Sequence, residues 1–387
     1  MRVGVIADGY VDANGTLDYL KIVLSGLYAR KDTEVYMFFS SDNQRKLRHI
    51  PSWFRMLYEL VVPYEQNTSI NAFAEFMDLK VVEYKARNLK KKIIENKIDV
   101  VFPAMTDLGK NFPVKWALEF FDCQPKYFPQ YFSLKTKLGR DFYFRTSAKH
   151  ADVIFVNSQA AKKDYCKFYK IPDQKIEVLP FCATLNDEYI KNDDLTVLEK
   201  YGIKTPYFLI SNQLYAHKRH DIAFQALEII RKKGYNVSIV CTGKMDDDDL
   251  LQNQLKDMIS NLDLIQNIKL LGMIPKKDQI ELMKQAISVV QPSEFEGDCS
   301  GQIIDAITLG QRAIASDIDV IKEVEFTGYV TYFKLDDPDD MAEKMLDFIN
   351  TPYLRPSREK LVEQEKMYLN AFSDAIYRII NKMVKNG

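Results

Sequence analysis

The chain has 387 residues, room for two domains and at most three. Its apolar share of 47% and charged share of 28% are those of a globular protein rather than a disordered one. Fifty-three Lys and Arg against 54 Asp and Glu leave a net charge of −1, which excludes the strong basic excess of a dedicated nucleic-acid binder.

Taken in chain order, MRVGVIADGY predicts a strand, Val3–Ala7, running into a turn. It lacks the apolar core and cleavage site of a signal peptide, and no apolar run along the chain reaches the ~18 residues of a membrane span. After the turn-rich loop Asp8–Gly15 comes a helix, Leu17–Tyr28, with Leu20, Val23, Leu24 and Leu27 at helical spacing. Strands follow at Glu34–Phe39, Ile98–Pro103, Lys115–Phe121, Asp152–Asn157 and Ile176–Pro180, with a helix through Lys162–Phe168. Short β-branched runs separated by helices predict parallel strands covered on both faces.

The rhythm restarts at Tyr207–Ser211 and continues through strands Val237–Thr242, Ile268–Leu271, Ser288–Gln291 and Arg312–Ser316. Helices Asp221–Lys233, 249–261, 277–286 and 302–309 alternate with them. The fold class predicted is α/β, with two Rossmann-like doubly wound domains facing a cleft. The boundaries expected are 1–185, 186–365 and a C-terminal helix, 366–387. Charge divides along the same line: residues 1–183 hold 28 Lys and Arg against 21 Asp and Glu, and the remainder 25 against 33. Ligands of such sheets bind at the carboxyl ends of the strands.

Two segments carry the chemistry. In QPSEFEGDCSGQIIDAITLG, a strand end at Gln291–Pro292 meets an acidic loop with Glu294, Glu296, Gly297 and Asp298. A helix then starts near Ser300–Gly301, where free amides suit a phosphate and nearby carboxylates suit sugar hydroxyls. Gln302 and Asp305, three apart, share a helix side. Gly310 ends the helix. On spacing alone, Glu296 and Asp305 read equally well as a loop acid and a surface acid. In YFLISNQLYAHKRHD, a strand, a polar turn and a helix put Gln213 and Lys218 five apart at the sheet edge; alone, Lys218 reads as a surface lysine.

Together these segments resemble the signature of retaining glycosyltransferases of the GT-B fold, family 4 (glycosyl transferases group 1). The resemblance covers roughly residues 100–387 well, and the first 100 loosely. It implies that Glu296 holds the donor sugar, Asp305 the nucleotide ribose and Lys218 the donor diphosphate. Glu296 and Asp305 are nine apart where the family has eight, and the second acid is Asp rather than Glu. Gln213 stands where the family has Arg, a charge for which His217, Arg219 or His220 are the candidate substitutes. LLGMIPKKDQIELMKQA, residues 270–286, resembles the stretch against the nucleobase and places it near Gly272–Ile274, with Gly243 at the preceding strand end. Asn14-Gly15 is the one candidate for the family's glycine loop, and equally an ordinary turn. Asp122, in Asp-x-Gln with Pro129–Ser133 after it, is a candidate to position the acceptor or the transferred sugar, and equally a turn cap.

The resemblance implies transfer from a nucleotide sugar to a glycan or lipid-linked acceptor with retention, in cell-surface polysaccharide or glycoconjugate synthesis. A non-catalytic relative that binds nucleotide sugar or a partner protein is the alternative. A GT-B epimerase would want more histidines than four scattered ones supply. Asp246–Asp249 are read as helix-start acids rather than a metal site, and neither a metal nor a cofactor is expected. Five scattered cysteines (Cys123, Cys166, Cys182, Cys241 and Cys299) predict a reducing, cytoplasmic setting. Lys126–Lys149 mixes aromatics with lysines and arginines. The alternatives there are a peripheral membrane contact and a solvated face over core aromatics, the second preferred.

Overall fold

The computed structural model describes residues 1–10, 14–40, 80–120, 122–182, 193–244, 250–297, 300–324 and 327–385. The acidic run Asp246–Asp249, and Phe121, Asp298 and Cys299, lie outside them. The chain divides into two compact units, Met1–Cys182 with Leu369–Gly387, and Ala183–Tyr368.

The first unit is built on seven parallel strands: β1 (Arg2–Ile6), β2 (Glu34–Ser40), β3 (Lys80–Tyr84), β4 (Val100–Ala104), β5 (Lys115–Glu119), β6 (Val153–Val156) and β7 (Ile176–Val178). Their order is β3-β2-β1-β4-β5-β6-β7. Helices α1 (Asn14–Tyr28), α2 (Leu89–Glu95), α3 (Gln124–Tyr127), α4 (Leu134–His150) and α5 (Gln159–Tyr169) connect them. Inner strands β4 and β6 are wholly apolar and buried, and β1 is from Val3 onward, because helices cover both faces. Asn14 and Gly15 open α1 rather than forming a separate turn.

The second unit repeats the plan with six strands: β8 (Tyr207–Ser211), β9 (Ser238–Thr242), β10 (Ile268–Leu270), β11 (Val289–Gln291), β12 (Ala313–Ser316) and β13 (Val330–Phe333). Their order is β10-β9-β8-β11-β12-β13. The helices are α6 (Thr196–Lys200), α7 (His220–Lys232), α8 (Leu250–Asn261), α9 (Lys276–Gln285), α10 (Gly301–Thr308), α11 (Asp319–Val324), α12 (Pro338–Asn350) and α13 (Arg358–Lys385). Helix α7 buries Ile222, Ala223, Phe224, Ala226, Leu227 and Ile230 against the sheet. Gly310 closes α10 at φ +64°, where a Cβ would stand 2.7 Å from Pro356.

In each sheet the order reverses once, between β1 and β4 and between β8 and β11. That reversal opens a crevice at the strands' carboxyl ends, where doubly wound sheets bind ligands. The last helix belongs to both units by sequence. From Leu369 it packs on α1: Ser373 Oγ donates to the Gly26 carbonyl at 2.7 Å and Tyr377 OH to that of Leu27 at 2.8 Å.

Candidate functional site

The β8/β11 crevice gathers a cluster of buried polar groups in the second unit. After β8 the chain turns through Asn212 and Gln213 into a short helical turn, Ala216–Lys218, and α7. After β11 it runs through Pro292 and Ser293 to Glu296. There Lys218 Nζ donates to both carboxylate oxygens of Glu296, at 2.8 and 2.7 Å. Both side chains are largely out of solvent, at 15% and 7% exposure. An ammonium carries three protons, so one N–H of Lys218 is left over.

Behind this pair stands a chain of carboxamides. Gln291 is fully buried, and all four of its hydrogen-bonding positions are used. Its Nε2 donates to Ser293 Oγ at 2.6 Å and to Glu296 Oε1, and its Oε1 accepts from Asn212 Nδ2 at 3.0 Å and from Gln302 Nε2. Gln302 also donates to the Val290 carbonyl at 2.8 Å and accepts the Ser211 N–H. Ser211 Oγ lies 2.8 Å from Thr242 Oγ1 and accepts from Gln279. The carboxyl ends of β8, β9 and β11 are thus tied to the start of α10. Gln302 therefore points into the crevice, buried, whereas Asp305 lies half-buried and ion-paired with Lys276 at the start of α9.

Ser300 caps α10. Its hydroxyl is buried and has no partner among the described residues, and it makes no capping bond. The first-turn amides of a helix have no intrahelical acceptor. A Cβ on Gly301 would meet nothing within 4 Å, so the helix start is open. Gly297 sits half-buried in the bend after Glu296.

Gly243, at the end of β9, takes φ +141°. A Cβ there would lie 2.1 Å from the Asn212 carbonyl oxygen and 2.9 Å from the Gln213 nitrogen. This glycine lets the turn after β8 lie directly on the turn after β9. Gln213 itself is exposed. The Gly243 N–H donates to the Gly272 carbonyl at 2.9 Å, and Ile274 lies half-buried two residues on.

None of the three substitutes for the missing arginine stands ready. Arg219 is held by Asp221, at 3.1 and 3.0 Å, and by Asp336. Burial pushes the Glu294 carboxyl up, with Asp336 and Asp221 adding to it, although Arg219 pulls it down. His217 is buried, and its carbonyl accepts the Glu294 N–H at 3.0 Å. His220 is buried with neither ring nitrogen bonded. Burial, then the charge of Lys218, pushes its pKa down to about 4, so the ring is neutral near pH 7.

In the first unit, Asp122 caps the start of α3. Its Oδ1 accepts the Gln124 N–H at 2.9 Å and the Arg140 guanidinium at 2.8 Å. Asp107, at the end of the β4 loop, lies 2.8 Å from His150 Nδ1 and accepts the Gly109 N–H. Among the described residues no group of three or more His, Cys, Asp or Glu is placed to hold a metal ion, and no helix is long and apolar enough to cross a membrane.

A cavity of about 770 Å³ opens at the other end of the second sheet, beside the amino ends of β8, β9, β11 and β12. Three of the cations that line it, Lys284, Arg312 and Arg355, are committed to the chain itself. The Arg312 guanidinium lies over Phe348 and Tyr353 and donates to the carbonyls of Ile287, Thr351 and Phe348, and Arg355 pairs with Asp193 at 2.9 Å. The polar crevice at the carboxyl ends is the better candidate site.

Two all-parallel α/β sheets of this order, with a polar crevice at the point of reversal, define the GT-B class. Residues 175–367 match the family model described as Glycosyl transferases group 1, so just under half of the chain, nearly all of it in the second unit, is similar to that family. An uncharacterized glycosyltransferase of Methanocaldococcus jannaschii is 23% identical over 260 residues, 61% of this chain and 62% of its own length. The chain therefore matches less than two thirds of that relative. Among solved structures, a glycosyltransferase from Rickettsia africae matches 100% of this chain and 99% of its own at TM-score 0.68 and 15% identity. HepE of Anabaena, in complex with UDP and glucose, matches all of both chains at TM-score 0.65 and 14% identity. Sucrose-phosphate synthase of Thermosynechococcus elongatus does so at 0.63 and 13%. At these identities the shared property is the fold.

Proposed function

We propose that the protein transfers a sugar from a nucleotide-sugar donor to a glycan or lipid-linked acceptor, with retention at the anomeric carbon, in cell-surface polysaccharide or glycoconjugate synthesis on the cytoplasmic side. One observation carries the reading: at the sheet's reversal point, the Lys218–Glu296 pair and the partnerless Ser300 hydroxyl lie on the two loops that open there. The donor's diphosphate takes the remaining Lys218 proton, the Ser300 hydroxyl and the amides of Gly301 and its neighbours. Glu296, held in place by Gln291, accepts from the sugar hydroxyls. Asp305 exchanges Lys276 for the ribose, and the base lies along Gly272–Ile274. The complex of HepE with UDP and glucose supports this choice of donor class.

In the step itself, the acceptor oxygen bonds to the anomeric carbon on the face from which the diphosphate leaves. The departing phosphate oxygen takes both the bonding electron pair and the acceptor's proton. Lys218 and the start of α10 stabilise the charge that grows there. Asp122 positions the acceptor with the carboxylate oxygen not used in capping. We assign neither a metal nor a cofactor to this step, so a chelator leaves the rate unchanged.

The test is transfer or donor hydrolysis with UDP- and GDP-sugars. Lys218→Ala folds and loses about 10²–10³-fold in kcat, the cost of one lost charge-stabilising donor. Activity near wild type rejects the site. The second reading, a non-catalytic binder of nucleotide sugar, is favoured by the committed Arg219 and Lys276. It predicts nucleotide-sugar binding with no donor turnover at all.

A further inference from the structure

Helix α4 is apolar on two sides. Its inner side buries Phe144, Ser147 and Ala148 against the core of the first unit. The solvated face over core aromatics preferred from the sequence is therefore half right: Phe144 is core, but the outer side carries a row of large apolar residues as well as charges. At 100° per residue, Leu134, Leu138 and Phe142 climb the outer side in four-residue steps. They are 68%, 60% and 73% exposed, and Tyr131 stands half-exposed in the turn before them. A contiguous row of exposed apolar side chains marks an interaction surface, and this row has no cover among the described residues.

The charges on that side are of one sign. Lys135, Arg145 and Lys149 rise beside the apolar row and are exposed. Between 126 and 150 six Lys and Arg face a single acid, Asp141. That acid is taken by Lys126 at 2.6 Å and Tyr169 at 2.9 Å. Neither Lys135 nor Lys149 has a carboxylate partner among the described residues. An apolar row bordered by cations, with no acid of its own, complements a surface that is anionic outside and apolar just beneath. The headgroup boundary of an anionic bilayer has that layering.

We propose that the outer side of α4 docks on an anionic membrane surface. Leu134, Leu138 and Phe142 enter the headgroup boundary along roughly 12 Å of helix, and Lys135, Arg145 and Lys149 meet lipid phosphates. The inference rests on the first unit alone and stands or falls apart from the donor site.

The test is co-sedimentation of the full chain with vesicles of phosphatidylcholine and phosphatidylglycerol at about 7:3, against pure phosphatidylcholine. The protein is expected to pellet with the anionic vesicles, about tenfold less with neutral ones, and about tenfold less when salt is raised to roughly 1 M. Leu138→Ser with Phe142→Ser lowers partitioning about tenfold or more. Lys135→Glu with Lys149→Glu does the same through charge. Both double variants keep the wild-type melting curve and donor turnover, and Lys218→Ala binds vesicles like wild type. No pelleting with anionic vesicles, or equal pelleting of the Leu138→Ser, Phe142→Ser variant, overturns the proposal. So does a dimer in free solution that this variant splits, which makes a second copy the occupant of the face.

Discussion

Glu296 meets three donor hydrogens and Gln291 has no valence to spare, so small changes here have separable effects. Glu296→Gln keeps the side chain's shape but turns one end into a donor facing Lys218. It is expected to lower kcat/KM for the donor at least tenfold while the melting temperature moves little. Gly243→Ala acts the other way: its methyl would overlap the Asn212 carbonyl. A loss of about 2–3 kcal/mol of stability, read by chemical denaturation, is expected before any catalytic effect. His220 sets a pH dependence. In the unfolded chain it titrates near its ordinary ~6.5, and in the fold at about 4. Between those values the unfolded chain binds the extra proton, so acid removes stability, by at most about 1.4 kcal/mol per pH unit. His220→Leu should flatten the stability profile between about pH 6.5 and 4, and an unchanged slope would count against a buried neutral ring. Lys218 and Glu296 could be picked out beforehand only because their two segments together resemble the GT-B signature; alone, each reads as an ordinary surface or loop charge. Gln291 and Asn212 could not, since a buried carboxamide and a surface one look the same until their partners are known.

Elements were legible where burial is complete. Strand β8 falls at Tyr207–Ser211, as its unbroken apolar run predicts, and the other inner strands shift by a residue or two. The two strands not anticipated, β3 and β13, each form one edge of a sheet, whereas the opposite edges, β7 and β10, were anticipated. Edge strands are half-solvated, and Lys80 and Glu83 in β3 break the apolar pattern a reader looks for. Helix α4 was hidden for the opposite reason, because apolar residues on both sides erase the helical period. The helix starts matter most for chemistry. Gln302, on the first turn of α10, bonds to the end of β11 and to the Ser211 N–H after β8. Gln302→Leu strands the Ser211 N–H and leaves the Gln291 oxygen with Asn212 as its one donor. It is expected to cost about 1–3 kcal/mol and to raise the donor KM more than it lowers kcat.

At the scale of the molecule, the two sheets repeat one strand order but differ in how their chain is drawn together. The second unit is a single run of sequence, and the first is assembled from two. Phe372, Ile376, Tyr377, Ile379, Ile380 and Met383 are all buried, and Gly26 of α1 lies so close that a Cβ would stand 3.0 Å from Phe372 and Ile376. Deleting residues 369–387 should therefore speed amide hydrogen exchange in β1 and α1 while leaving β8 and β11 protected. Equal loss of protection in both units would mean that they unfold together.

This division has a bearing on synthesis. A ribosome releases chain from the amino end, so β1 to β7 emerge early, yet the surface of α1 around Gly26 stays uncovered until nearly two hundred further residues have been made. The whole second unit can close in that interval. The half of the protein that is translated first is the half completed last, and during that wait its bare apolar side is the natural target of a chaperone.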